Sequence, residues 1–194
     1  MPTPAAMTEL EAVNMMLEAI GELPVASLVG PAVDDVGIAV NCLKQSLRLI
    51  LSKGKSFNTD YGFTLSPDVS GFIYAPTDAI SIDADSDERE CVMRGSKLWD
   101  SVNNTFVWAA ALKCTIIRYM TFEDLPPTVR EFIAYSACRI FLQKRLPNPA
   151  LDAMLAQQQQ EALIILGEDE MSQGDWSMLT DMSVQNATAR TGGF

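Results

Sequence analysis

LRLILSKGKSFNTDYGFTL, residues 47–65, contains a helix stop followed by a change of hydrophobic period. Up to Leu51 the apolar residues Val36, Val40, Leu43, Leu47, Ile50 and Leu51 form one stripe at helical spacing. Asp34 and Asp35 suit the first turn of that helix, where the dipole favours negative charge. Lys53-Gly54-Lys55 then supplies a basic last turn and a glycine suited to a left-handed cap. Beyond it, Phe57, Tyr61, Phe63 and Leu65 fall at a period near two, ending at Ser66-Pro67-Asp68. A helical segment therefore hands over to an extended one here.

Upstream, Thr8 and Glu11 form a capping box ahead of Leu10, Val13, Leu17 and Ile20, which predicts a first helix closed by Gly21 and Pro24. Downstream, Phe72-Ile73-Tyr74 and Ala79-Ile80-Ser81-Ile82 read as short strands. Cys91 to Arg94 and Lys97 to Asp100 flank Gly95-Ser96, a two-residue hairpin turn. Thr105 to Trp108 and Leu112 to Tyr119 complete a meander. Helical signals return at Pro126-Pro127 with Val129, Phe132, Ile133, Tyr135, Ala137, Ile140, Phe141 and Leu142, and stop at Pro147. A last helix opens at Asn148-Pro149, runs through Gln157 to Gln160 and ends near Gly167 or somewhat beyond. The order predicts an α+β protein: a four-helix bundle (residues 8–56 and 122–171), an inserted antiparallel β-meander (57–121) and an extended C-terminal tail (172–194).

Composition narrows the function. The chain of 194 residues has no histidine, so a Ser-His-Asp triad and a Cys-His pair are both impossible. No glycine-rich phosphate loop is present. The run Asp83-Ala84-Asp85-Ser86-Asp87-Glu88 begins like a calcium loop, but its sixth position is Glu88 instead of glycine and its twelfth is Arg94 instead of a bidentate Glu. A solvated loop is the reading it supports. Any two of the 25 acidic residues could be offered as a glycosidase pair, and the sequence singles out none. Cys42, Cys91, Cys114 and Cys138 lack any CxxC spacing and read as reduced, buried thiols. We therefore expect no catalytic residue, metal or cofactor.

The formal net charge of -11 argues against binding nucleic acid by neutralising phosphate. It is compatible with a wall past which DNA slides. The sequence offers neither a signal-peptide pattern nor an apolar run of the roughly 20 residues that span a bilayer, so membrane insertion is not expected. Two sets of apolar residues exceed what a monomer core needs. Tyr135, Ile140 and Phe141 spread beyond one narrow stripe and are candidates for contacts between subunits. Trp176, Met178, Leu179, Met182 and Phe194 punctuate a polar tail and are candidate anchors for a partner.

Several strings in register carry a resemblance. ELEAVNMMLEAIGELPV (residues 9–25) resembles the opening E-L-x-A-V-N-x-x-L-x-x-I-G-E-x-P-V of the tail tubular protein A family of short-tailed bacteriophages (podoviruses). Gly54 to Asn58 resembles that family's G-W-x-F-N, with Lys55 where an aromatic is usual. Arg94 to Asp100 is similar to its R-G-G-x-L-Y-D hairpin, with Ser96 and Trp99 as departures, and Phe122 to Pro126 to its F-E-D-L-P. The similarity runs from about Glu9 to Leu146. It implies a structural virion protein of the tail: a homo-oligomeric adaptor, forming a dodecameric ring beneath the capsid portal protein and above a nozzle of tail tubular protein B. Such a ring passes genomic DNA during ejection without binding it specifically, and is assembled in the host cytoplasm. A head-completion or neck connector of another tail type, or a tail-associated glycan depolymerase, are the rival expectations.

Overall fold

The computed structural model describes residues 6–28, 34–86 and 90–180, with side chains through residue 169. It is an α+β protein with four α-helices and five antiparallel strands among the described residues, and its contacts separate it into two units, 1–43 with 126–194 and 44–125. The division falls inside the second helix, upstream of the expected boundary at 56/57.

In the first unit, α1 (Glu9–Ala19) starts on the expected capping box: the Thr8 hydroxyl accepts from the Glu11 amide at 3.2 Å, and the Glu11 carboxylate accepts from the Thr8 amide at 2.7 Å. It ends in a Schellman closure, with Gly21 at φ +83° and the Glu22 amide donating to the Leu17 carbonyl. Asn14 sits mid-helix for a reason. Its side-chain amide donates to the Val25 carbonyl and accepts from the Val25 amide, at 3.0 and 2.8 Å, and so pins the returning chain. The second helix, α2 (Asp34–Leu51), contributes buried Ala39, Cys42 and Leu43 to this unit. Lys144 Nζ contacts Cys42 Sγ at 3.6 Å, and Arg145 pairs with Asp35.

Helix α3 (Pro127–Arg145) is the hub. It buries Val129, Phe132, Ile133, Ala134, Ala137, Cys138, Phe141 and Leu142, too wide an arc for a single neighbour, and packs against both α1 and α4. Residues 146–148 reverse the chain into α4 (Pro149–Thr180). The Asn148 side chain caps that helix by accepting from the amides of Ala150 and Leu151. Arg139 of α3 forks onto both oxygens of Asp152 and donates to the Gln159 side chain at 2.7 Å, giving one of the four consecutive glutamines a defined role. Helix α4 runs past Gly167 and Gly174 to Thr180, where an unstructured tail was expected from residue 172. Glycine inside a helix costs only about 1 kcal/mol, and the stretch contains no proline to stop it.

In the second unit the strands are β1 (Thr59–Leu65), β2 (Ala79–Ala84), β3 (Cys91–Arg94), β4 (Lys97–Asp100) and β5 (Leu112–Arg118). The expected meander of sequential neighbours is not what forms. The last strand lies in the middle of a sheet ordered β1-β5-β2, and β3 pairs only with β4, as a hairpin turning at Gly95 with φ +65°. Phe72 to Tyr74 and Thr105 to Trp108 reach the sheets through single bridges, Phe72 to Val107, Tyr74 to Lys97 and Asp100 to Thr105. Leu65, Ile73, Ile82, Leu98, Trp108, Leu112, Cys114 and Ile116 close the core between these layers. The Trp108 indole donates to the Leu98 carbonyl at 3.0 Å. Gly71 sits at φ +80°, and a Cβ there would approach the Val107 side chain to 2.8 Å, so any other residue is strained at this position.

Asn58 joins the pieces of this unit. Its buried side chain donates to the carbonyls of Leu51, at the end of α2, and Arg118, at the end of β5, and accepts from the Lys55 amide. Asn58→Ala should lower stability by about 3 kcal/mol in urea denaturation, because the backbone groups it served stay buried. Val69→Ala, fully exposed, should change it by less than about 0.5 kcal/mol. A second expectation concerns pH. Hydrogen bonds from Arg118 hold the Asp78 carboxyl below its ordinary value of 3.8, and those from Arg139 do the same for Asp152. Carboxyls that titrate lower when folded stabilise above the unfolded value and lose that contribution as pH falls through and below it. Urea midpoints should therefore drop on acidification below about pH 4, and the drop should be shallower in Asp78→Asn with Asp152→Asn.

Candidate functional site

Among the residues expected to serve association, Tyr135 and Ile140 are half-buried on α3 and keep surface to offer. Phe141 does not. Its side chain is 0% exposed, because α3 is packed on more than one side and position 141 faces inward. Trp176, Met178 and Leu179 fall on the last turns of α4, while Met182 and Phe194 lie outside the described residues. The structure therefore brings Tyr135 and Ile140 together on one helix and the three tail residues together on another.

Of the acidic run, Asp83 ends up in β2 and Asp85 just after it, with Asp85 accepting from the Thr115 hydroxyl at 2.8 Å; residues 87–89 lie outside the described set. Among the described residues no three cysteines or carboxylates converge to hold a metal ion. Cys42, Cys114 and Cys138 are buried and Cys91 half-buried, all unpaired. Burial pushes the Cys138 thiol up to about 12 and, with help from Cys91 and Asp85, Cys114 to about 11. Such thiols stay protonated at neutral pH and are poor nucleophiles.

The structure also assembles a face that motif reading passed over. In the β3–β4 hairpin, Cys91, Met93, Leu98 and Asp100 turn toward the core, so Val92, Arg94, Lys97 and Trp99 share the opposite side. The bridge from Tyr74 to Lys97 extends that side to Tyr74 and Phe72, and Phe106 stacks edge-on against Trp99 at 4.8 Å. Arg94 lies 4.3 Å from the Trp99 ring centre, and Lys97 lies 3.7 Å from that of Phe72. Both cations rest on aromatic rings, within cation–π range. Neither Arg94 nor Lys97 forms an ion pair with a carboxylate among the described residues, and the exposed Glu90 lies at the far end of β3 from them. Its signal in the sequence was the alternation of Val92 and Arg94 with Lys97 and Trp99, which the hairpin turn superimposes.

A second surface lies on α4. Among the described side chains of this helix, Leu155, Ala162 and Leu166 are the buried aliphatic ones. Ile164 is 54% exposed and Ile165 46%, between exposed Glu161 and Glu168. These four sit at i, i+3, i+4 and i+7 and form one stripe on the side away from the buried residues. The helix has 32 residues against 19 for α3, so about 20 Å of it extends past its partner's length. None of the helices in the described residues is long and apolar enough to cross a membrane.

A family model for tail tubular proteins matches residues 10–176. Tail tubular protein A of Klebsiella phage KP34 is 31% identical over 138 residues, which is 70% of this chain and 73% of that protein. The matched region takes in the Asn14–Val25 clasp, the Asn58 junction and the β3–β4 hairpin, and the chain belongs to the tail tubular protein family, structural components of bacteriophage tails.

Proposed function

We propose that this chain is the ring-forming adaptor that joins the capsid portal to the tail nozzle, lining part of the channel through which the genome leaves, and that it catalyses no reaction. The observation that carries this reading is the exposed aliphatic surface of α4, where Met154, Leu163, Ile164 and Ile165 lie on flanks that α3 does not cover. Exposed aliphatic residues grouped on a helix mark a surface that a partner covers, and for a tail protein a neighbouring copy provides one. Copies that meet through two different patches close into a ring when the rotation allows it. The family implies twelve copies, with the portal on one side and a nozzle of tail tubular protein B on the other.

In this reading the helical unit is the scaffold, its helices packed as a bundle, and the strand unit is an insertion in the chain between α2 and α3. Tyr135 and Ile140 contribute to contacts between copies. The end of α4 and the residues after it, with Trp176, Met178, Leu179, Met182 and Phe194 as anchors, dock on the portal or the nozzle. The net charge of -11, including the Asp83 to Glu90 segment, keeps the channel wall repellent to phosphate, so DNA slides without being held. The subunit reaches the virion tail after assembly in the host cytoplasm.

Mass photometry of the purified chain, with and without portal, tests the reading. A discrete ring bound to the portal is expected, and a chain that stays monomeric in both conditions would end the proposal. Removing the residues after Asp175 should leave the urea midpoint nearly unchanged and abolish attachment to portal or nozzle. Unaltered tail assembly by the truncated chain would refute the role given to the C-terminal anchors.

A further inference from the structure

We propose that the cation–aromatic face of the second unit is the docking surface for the acidic stripe of α4 on a neighbouring copy. The inference rests on the ring reading above and names the two patches that would meet.

The observations that support it are compositional and geometric. The chain is strongly acidic, yet Arg94 and Lys97 stand on aromatic rings and pair with no carboxylate among the described residues. Arg118 and Arg139, by contrast, are each engaged by aspartates of their own unit. Cations held over rings are partly desolvated and fixed in place, so an incoming carboxylate meets them with little ordering left to do. Aromatic residues and arginine are also the types that concentrate at the centres of protein interfaces. Tyr74, 46% exposed, and Trp99 supply such centres here.

The α4 stripe has the matching chemistry. Ile164 and Ile165 offer aliphatic surface to the rings, and Glu161 and Glu168 lie about 10 Å apart along the helix, one on each side of them. An aliphatic pair bracketed by acids complements rings bracketed by cations. The two patches differ from each other, so the contact is heterologous and propagates from copy to copy. Duplex DNA is the weaker candidate for the face. Two cations release few counterions, and the remaining charge of the chain opposes phosphate.

The test reverses charge on each side of the proposed contact in the full chain and follows ring formation on the portal by mass photometry. Arg94→Glu with Lys97→Glu should weaken assembly at least tenfold, as should Glu161→Lys with Glu168→Arg. A chain carrying all four substitutions should assemble again. The altered positions are outward-facing, so thermal unfolding should stay close to that of the original chain; Tyr74→Ser, which removes a ring without altering charge, gives an independent loss. If the original chain forms rings and the Arg94/Lys97 reversal forms them equally well, the inference is overturned and the ring reading stands. It is also overturned if the fourfold variant fails to recover, or if the face holds a labelled DNA duplex that its reversal releases. An original chain that forms no ring with portal removes both the ring reading and this one.

Discussion

Helix α4 carries more aliphatic surface than α3 covers, and the packing of the helical unit leaves that surface facing outward. Leu155, Ala162 and Leu166 fill the contact with α3, while Ile164 and Ile165 face away from it. Arg139 fixes the pairing of the two helices by gripping Asp152 and Gln159, so the uncovered side is held in a defined orientation within this unit. A subunit of an assembly leaves the surface for a neighbour to bury.

The two units are stabilised by different means. The helical unit depends on burial along α3, with its ends closed by short-range hydrogen bonds at Thr8, Asn148 and Gly21. The strand unit depends more on a few buried polar junctions. Asn58 ties a helix end to a strand end, Asp100 organises the turn after β4 by accepting from the amides of Val102 and Asn103, and Trp108 locks onto the Leu98 carbonyl. The sheet itself is irregular, with register shifts between Asp60 and Phe63 in β1 and between Ala79 and Ser81 in β2. Each satisfied group is inexpensive to keep and costly to orphan.

Features written in neighbouring residues could be read without coordinates. The Thr8 capping box, the Gly95 turn and the proline start of α3 all arise from contacts within a few positions. Strand order could not be read this way, because β5 is placed between β1 and β2 by partners thirty or more residues distant in sequence. Phe72 to Tyr74 and Thr105 to Trp108 have strand-like composition but make only single bridges, since pattern reports suitability for a sheet and not the presence of a partner. Phe141 illustrates the same limit. Its apolar character was plain, and only the packing of α3 on two sides decided that it faces inward. The cation–aromatic face needed both the hairpin and the Tyr74 bridge before its members became neighbours. The aliphatic run at 162–166 was visible in the sequence, but which of its residues stay uncovered depends on where α3 lies.

The central claim is that the exposed flank of α4 becomes buried when the tail assembles. Amide hydrogen exchange across this helix, measured in the free chain and in assembled tails, addresses it directly. The account predicts marked slowing in the segment around Ile164 and Ile165 on assembly, beyond any change in the α3 core. Identical exchange in the two states would contradict it.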